Sequence, residues 1–370
     1  VSRAAFRKAL RIYLATMAVA LLAVAIVAWQ FVSYPTVPLS PGETKKREFV
    51  VERGMALPEI ARRLEQQGLI DHPVWFRLVA SRRGVAGKIK AGRYELSPSM
   101  APLQVLEVLV LGAKEEEVVV TIPEGKNLVE VCELLAAAGV AKRADLERAA
   151  RDRALAERLG IPGATLEGYL FPDTYRFRPN TPAVKVVSTM REHQRRVFNA
   201  LETRHPGGLE TLRKDLGWGE FEAVTLASIV EKETGAPQER PRIAAVFLNR
   251  LRLPTFEPKL LQTDPTIVYG CTVPLVKSAA CQKFEGRIRR VHLEDRDNPY
   301  STYTHLGLPP GPISNPGRAA LEAVLAPEPG APYLYFVSRN DGTHYFSSTE
   351  AEHEAAVDRF QRAARPSVNP

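Results

Sequence analysis

The chain lacks most of what metal and cofactor chemistry requires. It has three cysteines and seven histidines in 370 residues. So few cysteines exclude a disulfide-stapled scaffold and a four-cysteine zinc site. His292, His305, His344 and His353 fall without metal-ligand spacing, so no metal is expected. No glycine-rich loop reads as a phosphate cradle, so no cofactor is expected either. Acidic residues are missing before Glu43, whereas Arg3, Arg7, Lys8 and Arg11 supply four of the net +8 charges. The rest of the chain is only mildly basic, which does not suit a nucleic-acid binder with its concentrated basic face. From Ile12 to Tyr34 there is no charge of either sign.

That last absence sets the expected topology. The run carries Leu14, Val19, Leu21, Leu22, Val24, Ile26 and Val27. As a helix it is long enough to cross a hydrocarbon core of ~30 Å. Tyr13, Trp29 and Tyr34 sit where interfacial aromatics are expected, and the basic residues ahead of the run place the N-terminus in the cytoplasm. A cleaved signal peptide is the rival, since Ala18-Val19-Ala20 and Ala23-Val24-Ala25 have cleavage-like spacing. Both lie inside the apolar run, and cleavage would expose Ile26 to Val32, so an uncleaved anchor is preferred. The expected order is a cytoplasmic tail over 1–11, a transmembrane helix over 12–34 and an extended linker over 35–46. Pro35, Pro38, Pro41 and Gly42 stiffen that linker.

Beyond the linker two segments align. Phe49-Val50-Val51 leads into Gly54, Leu57, Glu59, Leu64 and Gly68; Val118-Val119-Val120 leads into Gly125, Leu128, Glu130, Leu135 and Gly139, an offset of 71. Each reads as a strand, a glycine turn and an amphipathic helix that stops at a glycine. A second helix follows in each, around Val74 to Ala80 and Ala144 to Ala150. The units close with strands expected at Gly92 to Leu96 and at Gly168 to Phe171. The fold class is α+β, with a β-α-α-β module over 47–112, a second related module over 113–178 and a larger domain over 179–370. Modules of this kind resemble LysM-like domains, which bind N-acetylglucosamine polymers; a spacer role is the bland alternative.

The third segment carries the chemistry. Residues 220–234 read as one mostly apolar helix stopped by Gly235 and Pro237. Glu231 shares a stripe with Val224, Ala227 and Ser228, and the small side chains at 227 and 228 predict a cleft beside the carboxylate. A carboxyl set against apolar surface has its charged form disfavoured, the state a general acid needs. Glu233 shares its stripe with Leu226, Ile229 and Val230 and reads as packed. A surface glutamate in the last helical turn is the bland reading of Glu231. Cys132 reads as a buried inert thiol in an apolar helix. Cys271 and Cys281 could close a short loop if that part lies outside the cytoplasm. Residues 333–337 and 344–346 read as a hairpin through Asn340-Asp341-Gly342, and Thr349 with Glu352 as a capping box.

Several longer runs then fall in one order: LEGYLFPDTY at 166–175, ASIVEKE at 227–233, VFLNRL at 246–251, LQTDPT at 261–266, GLPPGPI at 307–313 and PYLYFV at 332–337. In these the chain resembles the endolytic murein transglycosylase family, also called YceG-like. The resemblance covers nearly the whole chain, and its catalytic glutamate falls on Glu231. It implies that peptidoglycan glycan strands are cut without water. One acid protonates the glycosidic oxygen, then takes the proton of the 6-hydroxyl of N-acetylmuramic acid as that oxygen attacks its own anomeric carbon. It also implies a bacterial inner membrane location, an outward-facing catalytic part and association with peptidoglycan synthases. Gln262, Asp264, Tyr300 and Tyr303 are the candidates for holding the sugar, with Glu233 and Asn249 behind them. One departure stands out: the family's S-P-Y-N-T-Y reads Asn298-Pro299-Tyr300-Ser301-Thr302-Tyr303 here. Three rivals remain open: a hydrolase in which Asp264 activates water, a noncatalytic wall-binding scaffold, and a pyridoxal-phosphate lyase, for which no phosphate cradle is present.

Overall fold

The computed structural model describes residues 3–112 and 117–362, with side chains from Tyr13 onward. The chain divides into two units, Val1–Glu116 and Glu117–Pro370.

The first unit opens with helix α1 (Arg3–Ser33), which supplies most of a candidate membrane span, Tyr13–Thr36, and whose apolar side chains are exposed. The extended linker expected at 35–46 is fastened to the module, and so is the aromatic just ahead of it. Tyr34 is only 5% exposed, and its hydroxyl donates to the His72 carbonyl at 3.1 Å. Further on, the Ser40 N–H donates to the Pro98 carbonyl at 3.0 Å. The prolines stiffen a segment that is laid onto the module, because the aromatic at its start has an apolar place to go.

Strand β1 (Arg47–Val51) is followed by helices α2 (Leu57–Gln66) and α3 (Pro73–Arg82), then by strand β2 (Gly92–Leu96) and helix α4 (Pro102–Leu111). The strands pair antiparallel with Phe49 opposite Tyr94. Alternation sends Phe49, Val51, Tyr94 and Leu96 to one face. The Ile60, Ala61 and Leu64 stripe of α2 and Phe76 of α3 cover that face. Gly68, at φ +63°, gives α2 the left-handed stop that its sequence predicts.

The second unit begins with a similar succession. Strand β3 (Val118–Thr121) is followed by helices α5 (Leu128–Ala137), α6 (Arg143–Ala150) and α7 (Arg153–Arg158), then by strand β4 (Thr174–Phe177). The closing strand pairs antiparallel with β3, but it lies beyond the Gly168 to Phe171 stretch expected to form it. Gly168 instead turns the chain at φ +86°, and the Leu170 N–H donates to the Asn315 side chain at 2.8 Å. Backbone donors spent on a distant side chain cannot also serve a ladder.

Helices α8 (Ala183–Arg204), α9 (Gly208–Leu216), α10 (Glu220–Glu233), α11 (Arg240–Arg252), α12 (Asp264–Thr272), α13 (Arg290–Leu293) and α14 (Arg318–Leu325) follow. Strands β5 (Tyr335–Ser338) and β6 (His344–Ser347) make the expected hairpin, and α15 (Glu350–Val357) follows behind the Thr349–Glu352 capping box. One hydrophobic core runs from Val120 through α10 to Leu325. The 113–178 module and the segment after it therefore share a core, and 178/179 is not a packing boundary. Helix α10 lies at the centre of this core, against α11, α12 and α14. Cys271 and Cys281 are joined, with Cα atoms 4.4 Å apart, and Cys132 is buried with its thiol pushed up to about 12 by desolvation.

Candidate active site

Glu231 and Glu233 both lie in the last turn of α10. Two residues on a helix are about 200° apart around its axis, so the two carboxyls face different surroundings.

The Glu231 side is closed. Its side chain is 5% exposed. Oε1 accepts from Arg240 Nη2 at 2.8 Å, and Oε2 accepts from the Gly317 N–H, at the head of α14, at 3.0 Å. Glu124 lies 3.9 Å from the same guanidinium, and its carboxyl is pushed up by burial and by the Glu231 charge. The cleft predicted beside Ala227 and Ser228 is filled. The Ile313 N–H donates to Ser228 Oγ at 2.9 Å, and Ser314 Oγ donates to the Ser228 carbonyl at 3.1 Å. The small residues admit the proline-rich loop of 308–317. Beneath that loop Glu167, 2% exposed, accepts from Leu128 N–H, Tyr269 O–H and Asn315 Nδ2, each at 3.0 Å. Burial pushes its carboxyl up to about 7, but the three donors occupy it.

The Glu233 side is different. Oε1 of Glu233 is buried and makes no hydrogen bond of good geometry; the Thr263 hydroxyl is the one side chain whose hydrogen bonding favours the charged carboxyl. Burial raises its carboxyl to about 7; the Asp264 charge adds to that, while Thr263 and Arg250 oppose it. Ser301 Oγ is likewise buried without a partner, and Thr263 Oγ1 makes no hydrogen bond of good geometry. Orphaned buried polar atoms are uncommon and call for an explanation such as a site for a ligand. Around them lie three of the residues expected to hold a sugar. Asp264 opens α12 and accepts from the Tyr303 hydroxyl at 2.8 Å. Gln262 is exposed and held at φ +53°. A non-glycine residue in that region costs about 1–3 kcal/mol and persists only where its neighbours fix it. Here the Gln262 N–H donates to the Thr302 carbonyl and the Thr263 N–H to Thr302 Oγ1, each at 3.0 Å. On the other flank, buried Arg250 donates to the Leu261 carbonyl at 2.5 Å.

The structure thus gathers Gln262, Asp264 and Tyr303 on the Glu233 side, away from the Arg240 clamp on Glu231. Tyr300 packs on Tyr269 with ring centroids 4.8 Å apart. Asn249 is spent on architecture, donating to the Ala331 and Tyr333 carbonyls at 2.8 and 3.0 Å. The departure in the 298–303 run also becomes clear. Ser301, where the family has asparagine, carries a buried hydroxyl without a partner, while Asn298 packs over Gly270. Arg240, Thr263 and Arg250 do not stand out in the sequence. The stripe of small residues around Glu231 is more conspicuous there, yet arginines on the helix that follows two glutamates are a usable signal. A hollow lined by Ala279, Lys283, Arg289, His292 and Asp295 lies over the disulfide loop and includes neither glutamate.

Known proteins match most of the chain. The endolytic murein transglycosylase of Bacillus subtilis (strain 168) is 28% identical over 325 residues, covering 84% of this chain and 83% of that protein. That of Streptococcus pneumoniae (serotype 2, strain D39) is 27% identical over 361 residues; the match covers 89% of this chain but only 61% of the relative. A crystal structure of a YceG-like protein from Listeria monocytogenes superposes with a TM-score of 0.52 at 29% identity, covering 84% of this chain and 99% of that one. The model of the YceG-like family matches residues 49–359, from the first strand of the β-α-α-β module to the final helix, and the chain belongs to that family.

Proposed function

We propose that the protein is a membrane-anchored lytic transglycosylase that cuts peptidoglycan glycan strands internally, with Glu233 as its acid and base. Support for the activity comes from relatives named as endolytic murein transglycosylases over most of the chain. The observation that carries the assignment of the acid is the orphaned Oε1 of Glu233, on a carboxyl raised to about 7 beside Asp264. A general acid works best with its pKa near the working pH. Sequence resemblance put this role on Glu231, but Arg240 and the Gly317 N–H hold both of that residue's oxygens.

In the proposed reaction protonated Glu233 gives its proton to the glycosidic oxygen as the bond to C1 of N-acetylmuramic acid breaks. The resulting carboxylate removes the proton from the 6-hydroxyl. O6 then bonds to C1, giving a 1,6-anhydro end, and no water is consumed. The attack is intramolecular, so effective molarity replaces a held nucleophile. Asp264, Tyr303 and Gln262 line the sugar position; Asp264 also offsets positive charge growing at C1. A hydrolytic reading has one observation in its favour, the second carboxylate beside the first. Mass spectrometry of products from purified strands separates the two. Anhydro ends are expected, and reducing ends alone would assign Asp264 to activating water.

Asp264→Asn gives a further test. The wild-type rate should fall above pH about 7, as Glu233 loses the proton it must deliver. Removing the neighbouring negative charge makes ionisation of Glu233 easier. The falling limb should therefore move to lower pH in the variant, and an unmoved limb would separate Asp264 from the acid.

The first unit supplies the anchor and, in this proposal, a LysM-like glycan contact. Its N-terminus faces the cytoplasm, and the catalytic unit lies outside the inner membrane, where peptidoglycan synthases work and are proposed partners. The basic residues ahead of the apolar run support that orientation.

A further inference from the structure

We propose that α3 is an interfacial helix that lays the first module on the surface of the bilayer crossed by α1, with anionic lipid headgroups as its ligand. Phe31, in the last turn of α1, packs edge-on against Trp75 with ring centroids 5.9 Å apart. Tyr34 meets the same indole at 5.5 Å. Trp75 is therefore held at the level where the chain leaves the hydrocarbon, which is where indole rings favour residence. It sits in the first turn of α3, so the helix starts at the interface.

The face that α3 presents fits that position. Phe76, Val79 and Ala80 point into the module and are buried. On the other side, Val74 and Leu78 are 58% and 50% exposed, four residues apart and so on one stripe. Arg77 and Arg82 flank that stripe on either side, both exposed and, among the described residues, without an ion pair. Apolar side chains between arginines that can reach outward are the pattern of a helix lying in the headgroup boundary. A face exposed for a soluble partner would not need its first turn fixed to a membrane-spanning helix.

The proposal rests on α1 spanning the bilayer, and the experiment reports on that separately. The three native cysteines are unreactive, two joined and one buried, so a single introduced cysteine can be labelled. Nitroxides are placed in turn at Leu78→Cys, at Val24→Cys in α1 and at Arg93→Cys on β2, in the full chain reconstituted into phosphatidylglycerol-containing vesicles. Power saturation then compares relaxation by oxygen, which concentrates in lipid, with that by a water-soluble nickel chelate. Position 24 should read as deep lipid and position 93 as water. Position 78 should favour oxygen over nickel by severalfold relative to 93. Substituting Arg77→Gln and Arg82→Gln together should bring 78 back toward the aqueous value. Equal nickel access at 78 and 93, with 24 still deep, would overturn the proposal. So would shielding of 78 from both relaxers, which would mean a protein partner or a second copy covers the face. An aqueous reading at 24 would instead overturn the spanning helix itself.

Discussion

Glu233→Gln is expected to abolish measurable strand cleavage while leaving a folded protein that still binds glycan. Glutamine keeps the shape but cannot deliver the proton, and losing a general acid/base costs about 10²–10⁴-fold in rate. The loss should lie at the upper end here, because the other carboxylate on the helix is held by Arg240 and the Gly317 N–H. Folding should not suffer, since Oε1 of Glu233 makes no hydrogen bond of good geometry and the amide oxygen of glutamine can still accept from Thr263. Glu231→Gln should behave in the opposite way. It leaves Arg240 short of its closest counter-charge and so lowers stability, but the fraction that remains folded should cleave at close to the wild-type rate. The measurement is turnover per folded molecule, with folding followed by circular dichroism. An active, folded Glu233→Gln protein beside an inactive, folded Glu231→Gln protein would return the chemistry to Glu231.

Arg240→Ala should produce the largest loss of stability. The pair it breaks is enclosed, with side chains 9% and 5% exposed. Removing one partner of a buried ion pair typically costs about 3–5 kcal/mol, because the other charge is stranded. In a unit of this size that corresponds to a fall in Tm of roughly 10 °C. Glu124, 3.9 Å from the same guanidinium but 49% exposed, should add little, because water solvates its carboxylate. The double variant Arg240→Met with Glu231→Gln should recover part of the loss, since the pair then leaves no stranded charge of its own. A Tm within about 2–3 °C of wild type, roughly the effect of 1 kcal/mol, would mean that the pair is not a structural clamp.

These two variants test where the sequence was legible and where it was not. Elements defined by short-range pattern were read closely: the 220–234 helix, the Gly92 to Leu96 strand, the 333–346 hairpin and the cap at Thr349. Their signals are periodicity, turn residues and cap spacing, all within one element. The failures share one cause. Tyr34, Leu170 and Ser228 take partners 38, 145 and 85 residues away. Each of those bonds changed the expected local outcome, turning a tether into a packed segment, a strand into a turn and a cleft into a seat for a loop. The same limit explains the two glutamates. Their stripes could be read from spacing, but not the fact that an arginine nine residues on would close one of them. Gln262, Asp264, Tyr300 and Tyr303 are readable in the sequence as candidates for holding a sugar, whereas the desolvated Glu233 carboxyl near Asp264 and Tyr303 shows only in three dimensions.

The packed exit of α1 has a mechanical meaning. The α-helical part of the candidate span, Tyr13–Ser33, is about 32 Å long at ~1.5 Å per residue, close to the ~30 Å of a typical hydrocarbon core, so in a thinner bilayer the helix fits by tilting. A slack leash would absorb that tilt. With Tyr34 sealed against His72 and Trp75, and Ser40 fastened to Pro98, the helix and the module turn as one lever. Bilayer thickness then becomes an input to the attitude of the first unit. Thinner and thicker membranes should hold the module at measurably different angles, with no change in sequence and no ligand.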